Sequence, residues 1–329
     1  MKTRKLGQIK VSAIGMGCMG FSHGYGAIPT ESESIRLIRK AYDLGCTLFD
    51  TAEAYGPFTN EVLVGKAVKP FRDKIVLTTK FFPVLLGNQT ENKLTRQGMR
   101  QALEDSLKRL DTDYIDIYYE HRVPQDSNVE EVAYWMGELI REGKIRGWGQ
   151  SQSTVEQIRK AHAVTPLSAI QSEYSIMERM FEKDVIPTCE ELGIGFVAFS
   201  PLASGFLSGK YTKDTEYKGD DVRRVITRFS KENVVANQPL LDLLHGYADK
   251  YHATPAQISL AWMLHKKPFI VPIPGMRRDE RIVENLGAAD VVLSDEEFDS
   301  IERELAKIEI HGNRTDKDIA KLGSVKLTD

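Results

Sequence analysis

Residues 45–56 of the chain read Gly-Cys-Thr-Leu-Phe-Asp-Thr-Ala-Glu-Ala-Tyr-Gly. The apolar positions predict a short buried strand that ends on Asp50, and the turn after it carries Tyr55. Two later apolar runs end in the same manner, on Lys80 and on His121. Because parallel strands of a closed barrel bring their C-terminal ends to one face, the pattern predicts that these four side chains meet in a single catalytic site.

The number of apolar runs indicates the fold class. Eight such runs predict strands, and amphipathic segments with helical spacing lie between most of them. Runs such as Phe269-Ile270-Val271 are apolar at consecutive positions, as a parallel strand covered on both faces requires. Eight strands that alternate with helices favour an α/β fold, a closed (β/α)8 TIM barrel, over a doubly wound open sheet. The predicted strands are Val11–Gly17, Cys46–Thr51, Ile75–Lys80, Tyr114–His121, Ile145–Ser151, Ala169–Ser172, Gly195–Ser200 and Phe269–Ile273.

Three segments fall outside this alternation, within what we expect to be a single domain of residues 1–329. Residues 2–10 turn at Gly7-Gln8 and predict an N-terminal β-hairpin that closes the bottom of the barrel. Residues 210–237 are long and polar, and a loop of this length after the seventh strand indicates a role in cofactor or substrate binding. Residues 311–329 lack a strong period and predict a polar C-terminal tail that packs as a short helix or frays.

The composition excludes several classes of partner. The 329 residues are 41% hydrophobic and 28% charged with a net charge of −3, and acids and bases are interspersed, so we expect neither a nucleic-acid nor a membrane surface. The three cysteines contain no Cys-x-x-Cys pair, which favours a reduced, cytoplasmic protein. No metal-binding motif is predicted, and the sequence carries no signal for a particular oligomeric state.

The strand-end residues suit proton delivery to a carbonyl group. A side-chain period of two places Asp50, Lys80 and His121 on the inward faces of their strands. A buried lysine needs a partner, and Asp50 is the natural one. A cation beside a phenol favours the phenolate, which suits Tyr55 to proton transfer. His121 can donate a hydrogen bond that orients the carbonyl oxygen. None of these groups supplies a hydride, so the sequence predicts a hydride-carrying cofactor.

The second half of the chain offers a site for such a cofactor. Polar side chains after the fifth and sixth predicted strands can bond an amide, and an aromatic ring at the end of the seventh can stack on a flat ring. The small-residue loop 200–210 can wrap a pyrophosphate, and an arginine cluster at a helix start favours a third phosphate, as in NADP. These positions are Ser151, Gln152 and Gln171, then Phe199, then Ser200, Leu202, Ser208 and Lys210, and finally Arg277, Arg278 and Arg281.

A glycine motif at residues 15–20, Gly-Met-Gly-Cys-Met-Gly, matches the dinucleotide-binding fingerprint and follows a predicted strand. The residues after it do not open a helix, which the fingerprint requires. We therefore interpret this stretch, including Met19, as a loop at the barrel mouth.

Taken together, these motifs resemble the aldo-keto reductase family, in particular its bacterial branch with long chains, over nearly the whole sequence. The matching segments are Asp50-Thr51-Ala52-Glu53-Ala54-Tyr55-Gly56, Thr79-Lys80, Tyr118-Tyr119-Glu120-His121-Arg122, Gly205-Phe206-Leu207-Ser208-Gly209-Lys210, and Ile273-Pro274-Gly275 with Arg281 and Glu284-Asn285.

The resemblance implies NADPH-dependent reduction of an aldehyde or ketone to the alcohol. Tyr55 would be the proton donor, Lys80 and Asp50 would tune it, and His121 would position the substrate carbonyl. The cofactor would lie against the residues named above and against Met19, Asp50, Gly275, Glu284 and Asn285. Of these, Glu284 and Asn285 would face the adenine, and Arg281 would face the 2′-phosphate.

Three positions depart from the family pattern. Met276 stands where a small polar residue is common, so NAD(H) remains the alternative to NADP(H). Gln152 stands where asparagine or glutamate is often found, and Ser204 stands where arginine is frequent. A histidine rather than a glutamate at position 121 favours carbonyl reduction over reduction of a conjugated double bond.

Two further functions are compatible with the same residues. Lys80 could form a Schiff base with a carbonyl substrate, as in lyases and aldolases built on barrels. A non-catalytic subunit that binds NADP, like the potassium-channel beta subunits of the same fold, could retain all four strand-end residues.

Overall fold

The core of the molecule is a parallel sheet of eight strands that curls into a barrel. The computed structural model describes residues 1–83 and 94–314. The eight strands pair in chain order, each parallel to the next. The sheet closes where Gly15 N donates to Pro272 O at 2.9 Å and Gly17 N donates to Pro274 O at 3.1 Å. The strands are β3 Met16–Gly17, β4 Leu48–Asp50, β5 Val76–Phe81, β6 Ile115–Glu120, β7 Ile145–Ser151, β8 Ala169–Glu173, β9 Gly195–Phe199 and β10 Ile270–Pro272.

Helices follow the strands and cover the outside of the barrel, and hydroxyl residues define several helix starts. Thr154, Thr254 and Ser294 each form a reciprocal capping box with the residue three positions later. The α-helices are α1 Glu31–Asp43, α2 Thr59–Val68, α3 Arg96–Leu110, α4 Val129–Arg141, α5 Val155–Val164, α6 Val185–Leu192, α7 Lys231–Ala236, α8 Gln238–Tyr251, α9 Pro255–Lys266, α10 Asp279–Gly287 and α11 Asp295–Leu305.

A two-stranded hairpin closes the bottom of the barrel, as predicted. Its strands are β1 (Thr3–Leu6) and β2 (Ile9–Ser12), paired antiparallel with Leu6 opposite Ile9. The fully buried Leu6 joins the apolar side chains that fill the barrel interior. The fit is close, since a Cβ on Gly195 would lie 2.5 Å from Leu6 Cδ2 and 2.6 Å from Leu6 Cα.

The structure corrects the first predicted strand, Val11–Gly17. Val11 pairs with Arg4 in the hairpin, and only Met16–Gly17 belongs to the barrel sheet. The chain bends at Ala13 and Ile14, between the two parts. Just before the bend, the hydroxyl of Ser12 accepts the amide of Thr47, while Ser12 N donates to the hydroxyl of Thr47. An apolar run alone could not reveal this division, because both parts bury their side chains.

The loop after β9 contains more regular structure than its polar composition suggested. Residues 210–237 include two 3-10 helices, Val222–Arg224 and Thr227–Phe229, and helix α7. Val222, Ile226 and Phe229 are buried. Ile226 has an extended backbone between the two 3-10 helices, so the three buried residues belong to no single helix.

The start of the predicted C-terminal tail packs against this loop. Asn237 and His311 exchange two hydrogen bonds between side chain and backbone, at 2.8 and 2.9 Å. Asn313 N donates to Thr227 Oγ1 at 2.9 Å. Residues 315–329 of the predicted tail lie outside the described residues. In the part of the chain that the structure describes, no helix combines the length and apolarity needed to cross a membrane.

Candidate active site

Lys80 and Asp50 form a buried ion pair at the mouth of the barrel. Lys80 lies at the end of β5 with no exposed surface, and its Nζ donates to the Asp50 carboxylate and, at 2.7 Å, to Thr51 O. Burial alone would lower the pKa of this lysine, but the charge of Asp50 and the contact with Tyr55 outweigh it, so the pKa of Lys80 is raised. Lys80 is therefore a cation at neutral pH.

The second carboxylate oxygen of Asp50 forms a further bond to β5 and connects the pair to one other strand, β8. Thr78 Oγ1 on β5 donates to it at 2.7 Å, and Gln171 Nε2 on β8 donates to it at 2.9 Å. These bonds fix the orientation of the carboxylate, which in turn fixes the ammonium of Lys80.

Tyr55 lies on the turn after β4, with its Oη 3.5 Å from Lys80 Nζ. The turn is anchored to β5 by two backbone bonds: Thr51 N donates to Thr78 O at 2.9 Å, and Glu53 N donates to Lys80 O at 3.1 Å. The structure thus brings together the phenol, amine and carboxylate that the sequence places at separate strand ends.

His121 follows β6 on the other side of Tyr55. The two rings meet edge to face, with centroids 6.1 Å apart, and Phe82 packs edge-on to His121 at 5.2 Å. Burial, with the neighbouring charges of Lys80 and Arg122, holds the pKa of His121 well below its usual range. His121 is therefore a neutral imidazole that can donate one hydrogen bond.

A second histidine borders Tyr55, and the sequence analysis did not identify it. The ring of His23 lies 5.6 Å from that of Tyr55, and partial burial lowers the pKa of His23. His23 belongs to the loop after β3, which Asp220 holds by accepting the amides of Gly24 and Gly26 at 2.8 and 3.0 Å. A loop histidine carries no periodic signal, so only tertiary structure places it here.

The residues predicted to contact a nicotinamide lie at the ends of three neighbouring strands. Ser151 is buried at the end of β7, next to Gln152, whose backbone N donates to Gln171 O at 3.1 Å. Gln152 has a left-handed backbone with φ of 61°. Phe199 ends β9 and is partly exposed.

Two arginines that the sequence analysis did not assign to the site contact the same residues. Arg122 donates to Ser151 Oγ at 3.0 Å and places its guanidinium 5.0 Å from the Phe199 ring centroid. Arg314, from the C-terminal segment, lies 5.4 Å from that centroid and donates to Glu173 at 3.0 Å. The beginning of the C-terminal tail therefore reaches the barrel mouth.

The predicted pyrophosphate loop has an unusual backbone. Ser200, Ala203 and Ser204 have φ of 49°, 50° and 57°, a left-handed conformation that costs a non-glycine residue about 1 kcal/mol or more each. Ser208 Oγ donates to Gly205 O at 2.7 Å, and Lys210 is exposed at the end of the loop. Leu202 lies within the left-handed part, between Ser200 and Ala203, and is half-buried.

The predicted adenine and phosphate residues lie in α10 and in the loop before it. Arg281 pairs with Glu284, and Asn285 is buried. The guanidinium of Arg277 donates to Tyr25 O and Ala27 O, both at 2.9 Å, and its contact with a phosphate stays a prediction. Gly275 forms a β-bridge with Gly17, close to the 3-10 helix that begins at Met19.

Unpartnered buried atoms on these surfaces are compatible with a large polar ligand. Asn285 Oδ1, Ser204 Oγ and His121 Nδ1 are buried, and none has a hydrogen-bond partner among the residues that the structure describes. Buried polar atoms normally have partners. The three atoms are spread from the catalytic residues to α10, as an extended dinucleotide would require.

Comparison with known proteins identifies the family. The model of the aldo/keto reductase family matches residues 13–305. A probable aldo-keto reductase from Glycine max is 39% identical over 294 residues, which cover 89% of this chain and 85% of that protein.

Solved structures agree with this match. A glycerol dehydrogenase from Gluconobacter oxydans superposes with a TM-score of 0.84 at 27% identity, covering 95% of this chain and 97% of that chain. An aldo/keto reductase from Klebsiella pneumoniae, crystallised with NADP and acetate, has a TM-score of 0.72 at 30% identity and covers 96% and 99% of the two chains. The prediction from the motifs is confirmed: the chain belongs to the aldo/keto reductase family of oxidoreductases.

Proposed function

We propose that this protein reduces a small aldehyde or ketone to the alcohol, with NADPH as the preferred hydride donor. The observation that carries the proposal is the contact of one buried ammonium, that of Lys80, with both Asp50 and the Tyr55 hydroxyl. A phenol beside a fixed cation is suited to protonate an oxygen as negative charge develops on it.

Each of the four residues has a separate role in this proposal. A bound reduced nicotinamide would supply the hydride to the carbonyl carbon. Tyr55 Oη donates its proton to the carbonyl oxygen, and Lys80 stabilises the phenolate that remains. Asp50 holds Lys80 in place. Neutral His121 donates a hydrogen bond to the same oxygen and keeps the carbonyl in reach of Tyr55.

The residues near β7, β8 and β9 would hold the nicotinamide end. Gln171 uses its amide nitrogen for Asp50, which leaves its carbonyl oxygen to accept from a carboxamide. Ser151 accepts from Arg122, so its own proton is directed elsewhere and can be donated to the carboxamide oxygen. Phe199 would pack against the ring.

Preference for NADP over NAD is supported by Arg281 and by a relative. Arg281 lies at the start of α10 and is 14% exposed beside Glu284. The Klebsiella pneumoniae relative was crystallised with NADP. A 2′-phosphate next to Arg281 would gain a charge-assisted hydrogen bond.

The state of Lys80 disfavours the Schiff-base alternative. Imine formation needs a neutral amine with access to the substrate. Lys80 has no exposed surface, is bonded to Asp50 and Thr51 O, and has a raised pKa. For the setting, we propose a reducing compartment such as the cytoplasm, because Cys18, Cys46 and Cys189 are free and buried.

A panel of aldehydes, ketones and alcohols, assayed with NADPH and with NADH at the nicotinamide absorbance, tests the proposal. We expect turnover of at least one carbonyl compound with a lower KM for NADPH than for NADH. Borohydride trapping of a carbonyl compound on Lys80, without nicotinamide turnover, would support the lyase instead.

A further inference from the structure

Helix α3 inserts one arginine behind the turn that carries Tyr55. The side chain of Arg109 is 19% exposed, and its Nε donates to Glu61 Oε2 at 2.6 Å. One of its terminal nitrogens lies 3.8 Å from Glu53 Oε2, and its guanidinium lies 4.8 Å from the ring centroid of Phe58. Arg109 therefore contacts the turn at both of its ends. Below, the Arg109 clamp means Arg109, Glu53 and Glu61.

Both carboxylates of the clamp also bind the end of β5. Glu53 Oε1 accepts the backbone amide of Phe82 at 2.7 Å, and Glu61 Oε1 accepts the hydroxyl of Thr79 at 2.6 Å. Thr79 and Phe82 lie on either side of Lys80. The clamp thus joins the segment that carries Tyr55 to the strand that carries Lys80.

The clamp also reaches His121, the fourth strand-end residue of the site, through Phe82. Phe82, whose backbone the clamp holds, packs edge-on to His121 with centroids 5.2 Å apart. A shift of the Glu53 side chain would move the Phe82 backbone, and with it the Phe82 ring that packs against His121.

The charges in the clamp make Arg109 difficult to replace. Glu53 is 4% exposed, and Glu61 has no exposed surface. Besides Arg109 and Glu61, the ionisable groups near Glu53 are Asp105 and Tyr118. A buried charge that loses a close cation is strongly destabilised, so without Arg109 the carboxylates must rearrange or take up protons.

From this geometry we propose that Arg109 is a positioning residue for proton transfer, and that through Glu53 and Glu61 it holds Tyr55 at the correct distance from Lys80. The inference rests on the proposed function. Arg109 does not touch the reacting atoms. Its loss should slow the chemical step and leave the distant cofactor surface at α10 unchanged.

The chain offers a matched control on the same helix. Arg100 lies on α3 and forms a bidentate ion pair with Glu142, at 2.6 Å for both bonds. Arg100→Met removes an arginine and an ion pair from α3 without contact with the Tyr55 turn. The experiment measures kcat, the KM of a carbonyl substrate and the Kd of NADPH for wild type and for three variants: Arg109→Met, Arg109→Lys and Arg100→Met.

We expect Arg109→Met to lower kcat at least tenfold while the Kd of NADPH stays within twofold of wild type. Arg109→Lys should recover part of the lost kcat. Arg100→Met should have the kcat of wild type. A kcat of Arg109→Met equal to that of Arg100→Met would overturn the proposal. If Arg109→Met does not fold, Glu61→Gln replaces it, because it keeps the size of the side chain and removes its charge. The same decrease in kcat, smaller in size, is then expected, and an unchanged kcat refutes the clamp.

Hydrogen exchange separates this inference from the proposed function. The amides of residues 51–61 should exchange faster in Arg109→Met than in Arg100→Met, with the rest of the chain alike in both. Exchange requires no turnover. A wild-type protein that reduces no carbonyl compound contradicts the proposed function, while equal exchange in the two variants contradicts the role of Arg109.

Discussion

The Nζ of Lys80 lies 3.5 Å from the Oη of Tyr55, although the two residues belong to different elements. The distance is at the upper limit of a hydrogen bond. The ammonium makes its shorter bonds to Asp50 and Thr51 O, so it is held by these groups and Tyr55 approaches it from the turn. The ammonium is therefore already in place when the phenol loses its proton.

Tyr55→Phe should abolish most turnover, because the variant keeps the ring and loses the proton donor. We expect kcat to fall by about 100-fold or more, as is typical when a positioned general acid is removed. The Kd of NADPH, followed by quenching of protein fluorescence, should change less than threefold.

Tyr134→Phe is the matched control for this variant. Tyr134 is 55% exposed on α4 and should tolerate the same change without loss of activity. Near-normal turnover in Tyr55→Phe would remove Tyr55 from the mechanism.

Gly195→Ala should destabilise the protein because the hairpin approaches this residue closely. A Cβ there would meet Leu6 Cα at 2.6 Å, and a backbone atom of the hairpin cannot move aside easily. We expect the free energy of unfolding in urea to fall by about 1–3 kcal/mol, as in overpacked cores.

Gly246→Ala, in contrast, should raise the free energy of unfolding. Gly246 is exposed in the interior of α8, and the position that an alanine Cβ would occupy there is open space. Replacing a helical glycine with alanine stabilises by roughly 0.5–1 kcal/mol. Equal effects of the two substitutions would show that the contact between Gly195 and Leu6 is not tight.

Ionisation of the buried Glu120 should lower the free energy of unfolding as pH rises. Burial raises the pKa of Glu120 to about 7, although Gln150 and Ser127 donate hydrogen bonds that oppose the shift. The folded protein then binds more protons than the unfolded chain between about pH 4.5 and 7, so the free energy of unfolding decreases with rising pH across that window.

Glu120→Gln removes this dependence. Relative to wild type, the variant should gain up to ~3 kcal/mol in the free energy of unfolding between pH 5 and pH 8, measured in urea. A parallel pH profile for Glu120→Gln and wild type would contradict the raised pKa of Glu120.

The barrel and the strand-end residues could be predicted from the sequence because both depend on local patterns. Runs of apolar residues define the strands, and a period of two decides which side chain faces inward, so the meeting of Asp50 with Lys80 followed from topology alone. The contact of Arg314 with Phe199, and that of Asp220 with Gly24 and Gly26, joins segments far apart in sequence. No periodicity encodes such contacts.

Arg277 illustrates a second limit of the sequence. An arginine before a helix is consistent both with anion binding and with bonds to a loop. The structure shows the latter for Arg277, through Tyr25 O and Ala27 O, and a Cβ on Gly20 would lie 3.0 Å from Arg277 Cδ. Charge alone could not distinguish these uses, because backbone carbonyls attract a guanidinium as a phosphate does.

Arg281→Met should therefore test the cofactor preference more directly than any change at Arg277. Arg281 is half-buried beside Glu284, so a 2′-phosphate there would be bound with little competition from solvent. Loss of one charge-assisted hydrogen bond costs about 1.5–3 kcal/mol, which corresponds to at least a tenfold increase in the KM for NADPH. The KM for NADH, which lacks this phosphate, should stay within twofold of wild type. Arg303→Met is the control, since Arg303 is exposed on α11, lies outside the predicted cofactor site and should affect neither cofactor. If Arg281→Met weakened NADPH and NADH equally, the arginine would act on the fold of α10 rather than on the phosphate, and the basis for preferring NADP would be lost.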